Sequence, residues 1–362
     1  MRRDRTHRPL GLWITAAALT VAALTCFFLL RWWGGRLSAQ QEAERWRGES
    51  GLRFSQVTCF VPVDEKQKVE AVYQFRQDMQ KKLHEAAMDI DYTGRLWVDA
   101  WSTSGKVQAT SELGKGEARA IAVGGEFFSF HPVRLLSGGY LTEDDLTKDR
   151  VLLDEELAWL LFGGTQLQGL ELKLNGVPFV VGGVVEREQD AFSRLAYTAG
   201  MGLYMSFDAY AQLNEAAGID CYEFVCAEPV KGFAVNLARE KFPIGQGVIV
   251  QNTGRFSVPR LLDVLRAYST RSMQTQGVIY PYWENAARSA EDRCALALLL
   301  GTLFALFPAG LGLWVLIRFL RRGKTKLSED VLPAWKDKAE EAVRVRQRRA
   351  WERRRGKHEK SE

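Results

Sequence analysis

The chain has 362 residues, 46% of them apolar, and a formal net charge of +5. That length allows one large domain or two smaller ones, with enough apolar residues for a sizeable core. The charge is uneven: residues 318–362 hold 16 Lys/Arg against 8 Asp/Glu. Arginines also crowd the first eight residues, so the region between is acidic, and the basic balance gives no reason to expect a nucleic-acid partner.

In chain order, a short basic segment (1–9) precedes Leu10–Leu30, which is uncharged and apolar apart from three threonines. At about 1.5 Å per residue it is roughly 32 Å long, the thickness of a bilayer's hydrocarbon core. It is longer than the apolar region of a signal peptide. Ser38 and Ala39 make a poor cleavage site, so an uncleaved anchor is expected. A polar stalk, Gln40 to Glu49, leads to a strand over Phe54–Val63, after which Asp64 can cap a helix. Val69, Val72, Phe75, Met79 and Leu83 recur at spacings of three and four, one face of an amphipathic helix. Leu96–Trp101 reads as a strand.

The region Leu152–Val185 is the most regular. Asp154 is an N-cap candidate, Leu153, Leu157, Leu160 and Leu161 share a helical face, and Gly163 ends the helix. Leu170, Leu172 and Leu174 alternate with Glu171 and Lys173. Asn175-Gly176 then supplies the hairpin turn, because both residues tolerate positive φ, and Phe179–Val185 returns as the partner strand. Further on come a strand at Tyr222–Cys226, a helix near Gly232–Phe242, a strand at Gly247–Gln251 and a helix over "SVPRLLDVLRAYS". The fold class is therefore α+β, with βαβ-like units at both ends of the domain.

Cys294–Ile317 is a second uncharged stretch of spanning length, bracketed by Arg293 and Arg318 and bent by Pro308. A buried core helix is the competing reading of each stretch; length and flanking charge favour spans. Lys and Arg crowd the outer side of both termini and are sparse on the inner flanks of the spans. The expected topology is therefore a two-pass cell-membrane protein with both termini cytoplasmic and an extracytoplasmic domain over 31–293.

Cys59, Cys221 and Cys226 lie between the spans. Three is an odd number, and Cys221 and Cys226, five apart in a strand, point to opposite faces. No disulfide framework is read from them; a bridge from Cys59 to one of the others stays open beside a set of buried small residues. No catalytic, cofactor or metal site is expected. "GKT" at Gly323–Thr325 lacks the upstream glycine of a phosphate loop, since Arg318 stands there, and "HEAAM" from His84 has Met88 where a zinc protease needs histidine. Glu143, Asp144 and Asp145 read as a solvated turn.

Three segments in this order, "GGEFFSFHPVRLLSGGYLTEDD", "VLLDEELAWLLFGG" and "LELKLNGVPFVVGGVVE", resemble the extracytoplasmic core domain of MacB/FtsX-type ABC transporter permeases. "GLYMSFDAYAQL" and the βα unit from Cys221 extend the resemblance, which covers about residues 50–275 and the first span. It implies a porter-like subdomain (about 52–110 and 220–275) and an inserted, mostly β subdomain (about 111–219). Both lie between transmembrane helices 10–30 and 294–317, with a basic, helical cytoplasmic tail at 318–362. It also implies a domain that binds partners and transmits motion rather than one that catalyses.

Permeases of this type carry one span before the domain and three after; here one follows, and then a charged tail. The expectation is a non-catalytic subunit or reduced relative of such a permease. The alternative is a membrane-anchored scaffold or regulator of envelope proteins with no ATPase partner. The expected partners are an ABC ATPase, a four-span permease and membrane lipids, in a homo- or hetero-oligomer. Family permeases dock their ATPase through a cytoplasmic helix after the second span. Trp335, Arg344, Arg348 and Trp351 in the tail are the docking candidates.

Overall fold

The computed structural model describes residues 8–88, 94–188, 190–196, 201–271, 276–326 and 332–358. Contacts divide the chain into two compact units, Phe28–Leu298 and Met1–Phe27 with Leu299–Glu362.

The first helix, α1, runs over Arg8–Gly34, and a single 3-10 turn, Ser38–Gln40, leads into α2 (Glu42–Arg47). Strand β1 (Phe54–Phe60) precedes α3 (Val69–Glu85), whose Val72, Phe75, Met79 and Leu83 are buried, as their spacing demands. Asp64 does not cap α3. Lys68 holds that position without a side-chain bond, because Gln67 first pairs with Ile219 in an isolated bridge and delays the helix.

Strands β2 (Trp97–Thr110) and β3 (Lys115–Gly125) form a long hairpin. β2 runs well past Trp101: pairing with β3 along its length, and with the strand at Cys221–Ala227 as far as Ser102, keeps it extended. Then come α4 (Phe127–Phe130), β4 (Arg134–Gly138), β5 (Arg150–Asp154), α5 (Glu155–Phe162), β6 (Glu171–Leu174), β7 (Val177–Glu186), α6 (Ser193–Ala196), β8 (Gly202–Ser206) and α7 (Phe207–Leu213). The domain closes with β9 (Cys221–Ala227), α8 (Phe233–Lys241), β10 (Val248–Gln251) and α9 (Val258–Arg266). Helices α10 (Tyr282–Lys326) and α11 (Leu332–His358) follow.

One ten-stranded sheet joins everything, in the order β10-β1-β9-β2-β3-β8-β5-β7-β4, with β6 pairing β2 and β7. β10, β1, β9 and β2 lie on one side of the sheet and β3, β8, β5, β7 and β4 on the other, joined at the β2–β3 hairpin. In the second group β3 with β8 and β5 with β7 are parallel, the rest antiparallel. Around α5 the local rules hold. Asp154 accepts from the Leu157 amide at 2.7 Å, Gly163 closes the helix in the left-handed region at φ 73°, and Asn175 and Gly176 turn β6 into β7 with φ of 50° and 88°.

The core packs α3 and α8 against the porter strands. Phe75 makes edge contacts with Tyr222, Phe224 and Phe242. Cys59, Cys221 and Cys226 are free, fully buried thiols in β1 and β9. In the other unit, the apolar windows of α1 and α10 are only 11% and 28% buried, with Leu24, Leu306 and Phe319 exposed. A core helix of a soluble domain would hide such residues. Both helices are long and apolar enough to cross a membrane.

Candidate functional site

The described residues contain no group of three or more His, Cys, Asp or Glu placed to hold a metal ion. Buried polar chemistry concentrates instead at the root of α10. Arg255, on the turn between β10 and α9, is 4% exposed. It donates to both carboxylate oxygens of Glu284, at 2.7 and 2.8 Å. Nε reaches Glu291 at 2.7 Å, and Nη1 reaches the Gln40 side chain at 3.0 Å. Glu284 and Glu291 lie on one face of α10, seven residues apart, separated by the buried Ala286, Ala287 and Ala290. Arg271, beyond α9, bonds Glu291 at 2.5 Å and Asp292 at 3.0 Å. Arg288 bonds Glu284 at 2.8 Å. Three arginines thus neutralise three carboxylates, as burial of charge requires.

This hub is tied into the sheet. Gln56 of β1 donates to the Ala39 carbonyl at 2.7 Å and accepts from the Glu42 amide at 3.1 Å, so the segment leaving α1 is pinned beside the segment entering α10. A second buried set runs from β1 and β9 to the same helix. His131 pairs with Glu223, which accepts from Thr58 at 3.1 Å, and the His131 ring lies 4.4 Å from that of Trp283. A cavity of about 210 Å³ beside the hub is lined by Phe192, Tyr280, Arg271 and Arg288 among others; both arginines already serve carboxylates. The arrangement is a buried joint of paired charges.

The four tail residues all lie in α11. Trp335, Arg344 and Arg348 are exposed, and of Trp351 only the backbone helix is described. By helical period, positions 344, 348 and 351 share one face and Trp335 the opposite one, beside Ala339 and Val343. Glu143 of the acidic turn pairs with Arg76, which also holds Asp99 at 2.8 Å. No sequence motif marks Arg255. The signal that was available is the Glu284/Glu291 pair on the alanine face just before the second span.

An α+β domain lies in sequence between two helices long and apolar enough to cross a membrane, which suggests the class of a membrane protein with a folded domain outside the bilayer. Residues 74–229 match the family model of the MacB-like periplasmic core domain. Among solved structures, it is similar to the periplasmic region of MacB from Actinobacillus actinomycetemcomitans, with 16% identity and a TM-score of 0.40 over 60% of this chain and 94% of that one. It is also similar to the extracellular domain of the noncanonic ABC-type transporter YknZ from Gram-positive bacteria, with 14% identity and a TM-score of 0.34 over 52% and 92%. No curated protein matches the sequence.

Proposed function

We propose that this chain is a non-catalytic subunit, or a reduced relative, of a MacB/FtsX-type ABC permease assembly, and that it couples events at its outer domain to the far side of the membrane. The observation that carries this is α10. It is assigned as one continuous helix of 45 residues, with Pro308 inside it, and its first turns are tied to the domain by Arg255 through Glu284 and Glu291. A rod fixed at one end by a buried, charge-balanced joint passes displacement along its axis. A flexible linker would absorb it.

In this reading both termini are cytoplasmic, the domain over 31–293 is extracytoplasmic, and α11 docks an ABC ATPase through Trp335, Arg344, Arg348 and Trp351. A four-span permease completes the pore. The test is copurification from the native membrane after mild crosslinking. An ATPase should be recovered with the full chain and lost on deletion of 328–362. Failure to recover any ATPase with the full chain would replace this reading with a membrane-anchored scaffold of envelope proteins.

A further inference from the structure

Helix α9 has a wider apolar face than the protein covers. Leu261 and Val264 are buried against Leu30, Cys294, Ala295 and Leu298. Val258 and Leu262, to one side of that face, are 53% and 42% exposed, and Tyr268 in the following 3-10 turn is 64% exposed. Isolated exposed apolar residues are ordinary; Val258 and Leu262, one turn apart, sit together on one flank of α9.

Depth and direction can both be read from named contacts. The two ends of the α9 segment are hung from one carboxylate: Arg255 before it and Arg271 after it both bond Glu291. Its middle packs on Cys294–Leu298, below Arg293, the last charge before the uncharged stretch. Leu298 lies five residues past Arg293, roughly 7.5 Å along the helix. That is the depth, about 5–10 Å, at which in-plane amphipathic helices sit. Arg260, on the other flank, turns back to the sheet and donates to Gln251 of β10 at 3.0 Å. By helical period Val258 and Leu262 then point away from the domain. Asp263 and Arg266 pair with each other at 2.9 Å on the polar side. Trp33 packs against the same cluster, and its neighbour Trp32 has Arg36 stacked 4.1 Å from its ring; both are the residue type expected at an interface between lipid and water.

The geometry points to α9 as an interfacial helix whose Val258–Leu262 flank, with Tyr268, beds into the outer leaflet at the headgroup–acyl boundary. It gives the porter-like half of the domain a foot on the lipid surface beside the two spans. This rests on the spans lying in a bilayer, and the test separates the two claims. The full chain, with Cys26→Ala, is reconstituted in vesicles of mixed neutral and anionic phospholipid. Single cysteines are spin-labelled at Val258→Cys, Leu262→Cys, Arg260→Cys and Asp263→Cys. The unlabelled parent serves as blank for the buried thiols, and Leu303→Cys reports on the span.

At Val258 and Leu262, collisions with oxygen should exceed those with a water-soluble nickel chelate several-fold, as at Leu303. At Arg260 and Asp263 the order should reverse. Water-like values at Val258 and Leu262 with a lipid-like value at Leu303 overturn the interfacial helix and leave the membrane reading standing. A water-like value at Leu303 overturns both.

Discussion

Arg255 makes five hydrogen bonds to Gln40, Glu284 and Glu291 while almost wholly removed from water. A buried pair of this kind adds little over a well-packed apolar substitute, but its halves cannot be separated cheaply. Arg255→Met should therefore lower the stability of the chain by up to about 3–5 kcal/mol, because Glu284 and Glu291 lose their buried cation and keep only the partly exposed Arg288 and Arg271. Thermal melts in detergent check this, and an unchanged melt would mean that water already reaches the hub.

Asp154 makes a pH-dependent case. Burial raises its carboxyl above the ordinary 3.8, although the Leu157 amide, Arg187 and the Gly202 amide pull it back in part. The folded state therefore holds that proton more tightly than the unfolded one. The group's contribution is greatest below pH 3.8 and declines as pH rises through the folded value. The melting difference between the native chain and Asp154→Asn should accordingly shift against the native chain from acid toward neutral pH. A difference independent of pH would show that the carboxyl keeps its ordinary value.

At the scale of the element, the β6–β7 turn shows a local rule surviving intact. Gly176 sits at φ 88°, where a β-branched side chain is strained. Gly176→Val should cost about 1 kcal/mol or more, read as a lower midpoint in denaturant. The cost should come from backbone strain alone, since a Cβ there meets no neighbouring atom. α5 was equally legible, from its Asp154 cap to its Gly163 stop, because each signal lies within a few residues of the structure it specifies. β2 was legible only as far as Trp101: its second half is polar, and the long hairpin pairing with β3 keeps it extended. α3 lost its expected Asp64 cap for the same reason, through a bridge to Ile219 across more than a hundred residues of sequence.

For the whole molecule, the two-pass reading makes a direct prediction. In a background lacking the native cysteines, Lys173→Cys should react with an impermeant thiol reagent in intact cells and Lys336→Cys should not. The reverse pattern would invert the topology and remove the coupling proposal with it. Deleting 328–362 leaves both spans and the basic cluster at Arg321, Arg322, Lys324 and Lys326, so the shortened chain should still insert and its domain still fold, while a copurifying ATPase is lost.

By itself the sequence determined the spans, the α+β class, the MacB-like order of segments, and the caps and turns. Each of these depends on periodicity, charge or turn chemistry within a short window. The tertiary structure alone decided that the strands form one sheet, which of them lie side by side, and that Gln40, Arg255 and Glu284 meet. Those three residues come from segments more than two hundred positions apart at their extremes. Nothing local marks an arginine as the partner of a distant glutamate; burial does, because a charge withdrawn from water must find its counter-charge wherever the fold brings one within reach.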